Sequence, residues 1–179
     1  MKKTIAFIGV SFVAIFAYVP LVHASSYNQG KYNENVPYGS ATYIAISTDG
    51  DVSLAVTPTS SGSQVTGTST VTVTSTDVVG HKLYLRSEPS TDMDNLGDVL
   101  PTSGNVSPAP LAINTWGYNT DGSNNFVGSS LTDTLIRSLT GPAMYGDITT
   151  ITYGVKVDLA KPAGNYTTSI VYTAVPDID

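Results

Sequence analysis

The residues best suited to chemistry in this chain are few and scattered. His81 is one of two histidines, and the other, His23, lies in the N-terminal segment described below. A Ser-His-Asp arrangement would have to use His81, yet it follows a turn and opens a strand-like run, outside any nucleophile-elbow context. A surface or strand-edge histidine is the plainer reading. Zinc is excluded on donor count, because its sites need several His or Cys ligands and the chain has no cysteine. Glu34, Glu88, Asp92, Asp94 and Asp98 supply carboxylates of the kind that work in pairs across a glycosidase cleft. Their sequence positions match solvated loop acids equally well. No catalytic residue and no cofactor is assigned.

Calcium is the better metal candidate. The run Asn119-Thr120-Asp121-Gly122-Ser123-Asn124-Asn125 offers oxygen donors at alternating positions, Asn119, Asp121 and Ser123, around a glycine. It lacks a closing bidentate Glu, and ordinary turn chemistry of Asn, Asp and Gly explains the same residues. Trp116 and Tyr118 are the candidates for ligand contact, as an aromatic platform that stacks on sugar rings. They share a strand parity, so burial in a core is the competing reading. Six threonines alternate from Thr66 to Thr76. Flat threonine arrays that bind ice repeat such a row on neighbouring strands, and Thr150 and Thr152 are the additions the sequence offers. A solvated sheet face is the simpler account.

The elements that must position these residues read as strands. Val65, Val71 and Val73 alternate with the threonine row, the period of a half-buried strand. Tyr43–Ser47, the alternating Val52, Leu54 and Val56, His81–Arg86, Leu111–Tyr118, Thr149–Leu159 and Asn165–Val175 follow the same pattern. The last two, joined by Lys161-Pro162-Ala163-Gly164, are expected to form a terminal hairpin with a four-residue loop. Leu131, Leu135, Ile136 and Leu139 have helical spacing, and a short helix is expected there. Residues 88–110 hold four prolines and form a long polar insert. The expected fold is all-β, an antiparallel sandwich of Ig-like or Greek-key type with about 7–9 strands, preceded by an N-terminal signal helix.

Three segments follow from this. Residues 1–24 have the order of a secretory leader: Lys2 and Lys3, an apolar run from Ile5 to Val19, then Pro20 and Val22-His23-Ala24. That run is shorter than the ~20 residues a spanning helix needs, so cleavage after Ala24 and no membrane span thereafter are expected. Residues 25–50 form a polar arm and first strand, and residues 51–179 the sandwich. Loss of Lys2 and Lys3 leaves six basic against 14 acidic side chains, a net charge of −8. That sign disfavours nucleic acid, whose binding rests on clustered Lys and Arg. A secreted chain without cysteine must hold its fold by packing and hydrogen bonds alone.

Several stretches resemble a known group. They are Asn114-Thr115-Trp116-Gly117-Tyr118, Val52 to Pro58 before the Val/Thr strand, and the closing Tyr153-Gly154-Val155-Lys156-Val157, Lys161 to Tyr166 and Val171-Tyr172-Thr173-Ala174-Val175. From Asp51 onward the chain resembles small secreted surface proteins of ultrasmall epibiotic bacteria, which are similar to the WxL cell-wall domain of Gram-positive bacteria. Tyr118 stands where that pattern has Leu, and Tyr172 where it has a second Trp. The resemblance implies non-covalent binding to peptidoglycan. The expectation is therefore an extracellular, non-enzymatic surface protein whose partner is a cell-wall polymer, a surface glycan or a surface protein. Two alternatives stand beside it: a glycan-binding module using Trp116 and Tyr118, and a homo-oligomeric fibre or layer subunit whose arm, residues 25–38, adds a strand to a neighbour.

Overall fold

The computed structural model describes residues 10–12, 43–76 and 78–177. The ten strands are β1 (Val10–Phe12), β2 (Tyr43–Thr48), β3 (Ser63–Thr76), β4 (Gly80–Glu88), β5 (Met93–Asn95), β6 (Asp98–Leu100), β7 (Thr115–Asn119), β8 (Thr134–Thr140), β9 (Asp147–Val157) and β10 (Thr168–Asp177). They form one sheet in the order β1-β10-β4-β8, a second in the order β2-β3-β9-β7, and the small pair β5-β6. Every ladder is antiparallel except β1 on β10. This is the antiparallel sandwich the alternating sequence calls for. Of residues 1–24, β1 alone is described; the expected signal helix, the arm 25–38 and Glu34 lie outside the described residues.

Alternation decides which side chains face inward. On β3 the odd positions Val71 and Val73 are buried and the threonines point out. On β9 the odd positions Ile151, Tyr153, Val155 and Val157 are buried opposite Leu83 and Leu85 of β4 and Ile170 and Tyr172 of β10. Side chains of this size each contribute about 1.5–3 kcal/mol when fully buried. Val52, Leu54 and Val56 also alternate inward, and Leu54 and Val52 lie against Gly67 of β3. They form no ladder, and apart from an isolated bridge at Val56 the expected strand is an extended segment that seals the core.

Two connections differ from expectation. β9 and β10 are not a hairpin: β9 lies between β3 and β7, while β10 pairs with β4 in the other sheet. The chain crosses between the sheets through residues 158–167, where Tyr166 is buried and its hydroxyl donates to the Pro162 carbonyl. Alternation marks a strand but not its neighbour. The expected helix around Leu131–Leu139 is strand β8, paired with β4. A bulge between Leu83 and Tyr84 shifts its register, and so breaks the period-2 pattern into one that mimics a helix. The 88–110 insert is structured as well. Its β5-β6 hairpin turns at Leu96 and Gly97, both at positive φ, and buries Met93 and Leu100 in the core.

One polar contact crosses the core. The hydroxyls of Tyr153 on β9 and Tyr172 on β10 meet at 2.5 Å, both rings being buried. Burial, the largest cause in each, lifts both phenols above their usual range. Raised phenol values mean the folded state keeps protons that the unfolded chain releases, so this contribution is present below the ordinary tyrosine value and lost as pH rises above about 10. Tyr153→Phe is expected to cost about 1–2 kcal/mol near neutral pH, and the double Phe variant less than the two single costs combined. Chemical denaturation at pH 7 and pH 11 checks both: the double variant must lose less on going to pH 11 than the parent.

Candidate functional site

The structure separates the residues that the sequence put forward. Trp116 is fully buried and Tyr118 is 3% exposed. Both face inward from β7, where Trp116 pairs with Val155 and Tyr118 with Tyr153. The Trp116 indole N–H donates to the Thr91 carbonyl, so the 88–110 insert is pinned to the core through this ring. Burial raises the Tyr118 phenol, while the Thr134 hydroxyl on β8 opposes that rise. Neither ring offers a face to a sugar, and the platform is thereby corrected to core.

The calcium candidate is closed by its own hydrogen bonds. The Asn119 amide nitrogen donates to the carbonyls of Ser123 and Asn125, and its oxygen accepts from the Gly122 N–H. Asp121 accepts from the Ser123 N–H, and the Ser123 hydroxyl from the Asn125 N–H. Asn119 thus turns a donor, not an oxygen, toward the loop carbonyls that a cation would need. Among the described residues no three His, Cys, Asp or Glu side chains are grouped to hold a metal. The acids of the 88–110 insert serve locally: Asp92 accepts from the Thr102 N–H and Asp94 from the Gly97 N–H.

His81 is not at the surface. It is fully buried on the inward parity of β4, shared with Leu83 and Leu85. Its Nε2 stands 3.4 Å from an Asp147 carboxylate oxygen, within ion-pair reach but without hydrogen-bond alignment. Asp147 opens β9, and Arg137 of β8 grips it with two bonds, Nε to Oδ2 at 2.9 Å and Nη2 to Oδ1 at 2.8 Å. Such a fork-to-carboxylate pair is directional as well as charged. It ties β8, the edge strand of one sheet, to the first residue of β9 in the other. Sequence spacing did not reveal this cluster, although the parity of His81 with Leu83 and Leu85 was there to be read.

The exposed surface with a repeating pattern is the outer face of the β2-β3-β9-β7 sheet. The even threonines of β3 project from it, with Ser47 beside Thr72, Ala45 beside Thr74 and Tyr43 beside Thr76 on β2. On the other side Ile148 stands beside Thr72, Thr150 beside Thr70 and Thr152 beside Thr68. The threonine row is therefore matched on β9 in two registers, with Thr152 itself buried. Charge on this face is confined to its margins, Asp49 beside Thr70 and Lys156 beside Gln64. Asp49 closes the β2 end, accepting from the Ser69 and Thr70 hydroxyls and the Thr70 N–H, bonds that lower its carboxyl against the opposing effect of burial. At the far end Gly117 and Gly154 face each other in register, and the Phe126 ring fills the trough they leave. A Cβ at Gly154 would lie 2.6 Å from that ring.

The chain matches no protein-family model, no curated protein and no solved structure. The reading of its surface therefore rests on its own geometry.

Arg137 holds the Asp147 carboxyl below the ordinary carboxylate range; burial works the other way, and His81 adds to the lowering. A depressed carboxyl contributes stability above its unfolded value of about 3.9, and that contribution is lost as pH falls through the lower folded value. Asp147→Asn is therefore expected to lower the thermal midpoint at pH 7 and to flatten its fall between pH 4 and pH 2. Melting curves across that range, run beside the parent, decide it.

Proposed function

We propose that this is an extracellular, non-enzymatic protein that attaches without a covalent bond to a polymer of the cell envelope. The observation that carries the reading is the threonine-rich face of the β2-β3-β9-β7 sheet, where charge is confined to Asp49 beside Thr70 and Lys156 beside Gln64, on an otherwise acidic chain. Each threonine presents a methyl group and a hydroxyl side by side. Along a strand alternate side chains stand about 6.6 Å apart, and across strands about 4.8 Å. A glycan strand offers the matching chemistry, C–H faces for the methyls and hydroxyls or amides for the hydrogen bonds. Away from Asp49 and Lys156, contact with a neutral polymer strips no ion of its water. The leader-like start supports export, and the resemblance to wall-binding domains from Asp51 onward supports a wall polymer as the partner.

The test is co-sedimentation of residues 25–179 with purified insoluble cell wall. The protein is expected to pellet with wall and stay in solution without it. Thr66→Glu combined with Thr68→Glu is expected to weaken pelleting about tenfold, since each buried, unpaired charge costs more than the contact it replaces. Ser138→Glu, on β8 of the other sheet, is expected to change nothing. Retention of wall binding by the double variant, or failure of the parent to pellet, rejects this face as the contact.

A further inference from the structure

A turn in water is ordinarily built from Gly, Pro, Asn, Asp or Ser, whose side chains are polar or absent. The connection between β8 and β9, residues 141–146, departs from that rule. It closes as a β-turn in which the Gly146 N–H donates to the Ala143 carbonyl, and its two central residues are Met144 and Tyr145. Both side chains are exposed, Tyr145 at 93%. The turn is held at several points. Ala143 is buried, its N–H donates to the Ser75 hydroxyl, and its carbonyl also accepts from the Ser75 N–H. The Gly141 N–H donates to the Val79 carbonyl, and Gly141 and Gly146, at φ of 92° and 90°, supply the left-handed backbone at either end. Tyr145 is thus displayed on a turn with little backbone freedom left to lose on contact.

The turn is continuous with the threonine face. A Cβ on Gly146 would lie 2.8 Å from the Thr72 methyl and 3.8 Å from the Thr74 hydroxyl, and the exposed Ile148 stands beside Thr72. At the opposite end of the row Thr66 pairs with Gly154, over which the Phe126 ring lies. The row therefore runs from Phe126 to the Tyr145 turn, about 26 Å from Thr66 to Thr74 at the rise of an extended strand.

We propose that Tyr145 is the sugar-stacking residue of this face: one pyranose ring of the envelope polymer lies against the phenol, and the sugars that follow lie along the threonine row. The inference rests on the wall-polymer reading above and adds the residue that holds the ring. A tyrosine ring takes the C–H face of a sugar while its hydroxyl stays at the wet rim. Residues 141–146 carry no Asp, Glu, Lys or Arg, and Asp147 behind them is held by Arg137. The turn therefore suits a neutral ring and offers no cation to an anionic lipid.

The test is co-sedimentation of the full chain with insoluble cell wall, before and after the wall is stripped of protein by protease. Tyr145→Ala is expected to weaken pelleting about tenfold, and Tyr145→Phe and Tyr145→Trp to retain it. Leu96→Ala removes a fully exposed apolar side chain from the β5-β6 turn and is expected to change nothing. Tyr145→Trp also gives a direct reading. Glycan strands released from the same wall by an amidase are expected to shift its emission to the blue and shield it from acrylamide, over the constant signal of buried Trp116. Parental pelleting by Tyr145→Ala, beside a weakened Thr66→Glu and Thr68→Glu variant, overturns this assignment and leaves the threonine face standing. Loss of pelleting in Tyr145→Phe assigns the contact to the hydroxyl and overturns stacking, as does unchanged Tyr145→Trp emission. Pelleting that disappears once the wall is stripped assigns the turn to a protein partner and overturns it too. A parent that pellets with neither wall removes the wall reading and this inference together.

Discussion

Two sheets must close on each other here without a covalent tie, and the Tyr153–Tyr172 bond is where that closure becomes specific. Hydrophobic burial drives the sheets together but is non-directional. Valine and isoleucine faces of similar size tolerate sliding. A hydroxyl pair at 2.5 Å inside the core does not, because sliding would leave polar oxygens unpaired in a low-dielectric interior. Around it the other inter-sheet contacts take fixed places: Tyr118 toward Thr134, and Arg137 onto Asp147. The sheet order and the outward threonine face both follow from that alignment.

Much of this was legible in the sequence. Period-2 alternation identified β3, β4 and β9 and assigned their inward faces, since Val71, Leu83 and Ile151 are each buried as their parity requires, and β7 and β10 were legible as strands without their facing being settled. What alternation could not supply was partnership. The β9–β10 turn signal at Lys161–Gly164 is real, but it lies inside a longer crossover between sheets. At β8 a bulge hid the strand. The Val52–Val56 segment kept its alternation without a ladder, because a stretch packed along a core obeys the same inside-outside rule as a strand.

The site was less legible than the fold, for a related reason. Trp116 and Tyr118 look alike whether they face sugar or core, and the deciding fact is that both point at β9's buried partners. The Asn119–Asn125 loop has the composition of a cation loop and of a self-bonded turn, and the geometry of one amide group separates them. The threonine face required knowing that β9 runs beside β3 in the register that sets Thr150 against Thr70. No local pattern encodes that pairing.

The crossover between β9 and β10 has a consequence for how the protein is made. Neighbours in sequence do not pair as a hairpin at this end, so the long strands cannot form early from local contacts alone. β4 lacks one of its partners until β10, the last of the described strands, arrives from some eighty residues away in the chain. Until that segment is available the sheet is incomplete and the tyrosine bond unmade. Such a topology reserves cooperative locking for the moment the whole length is available.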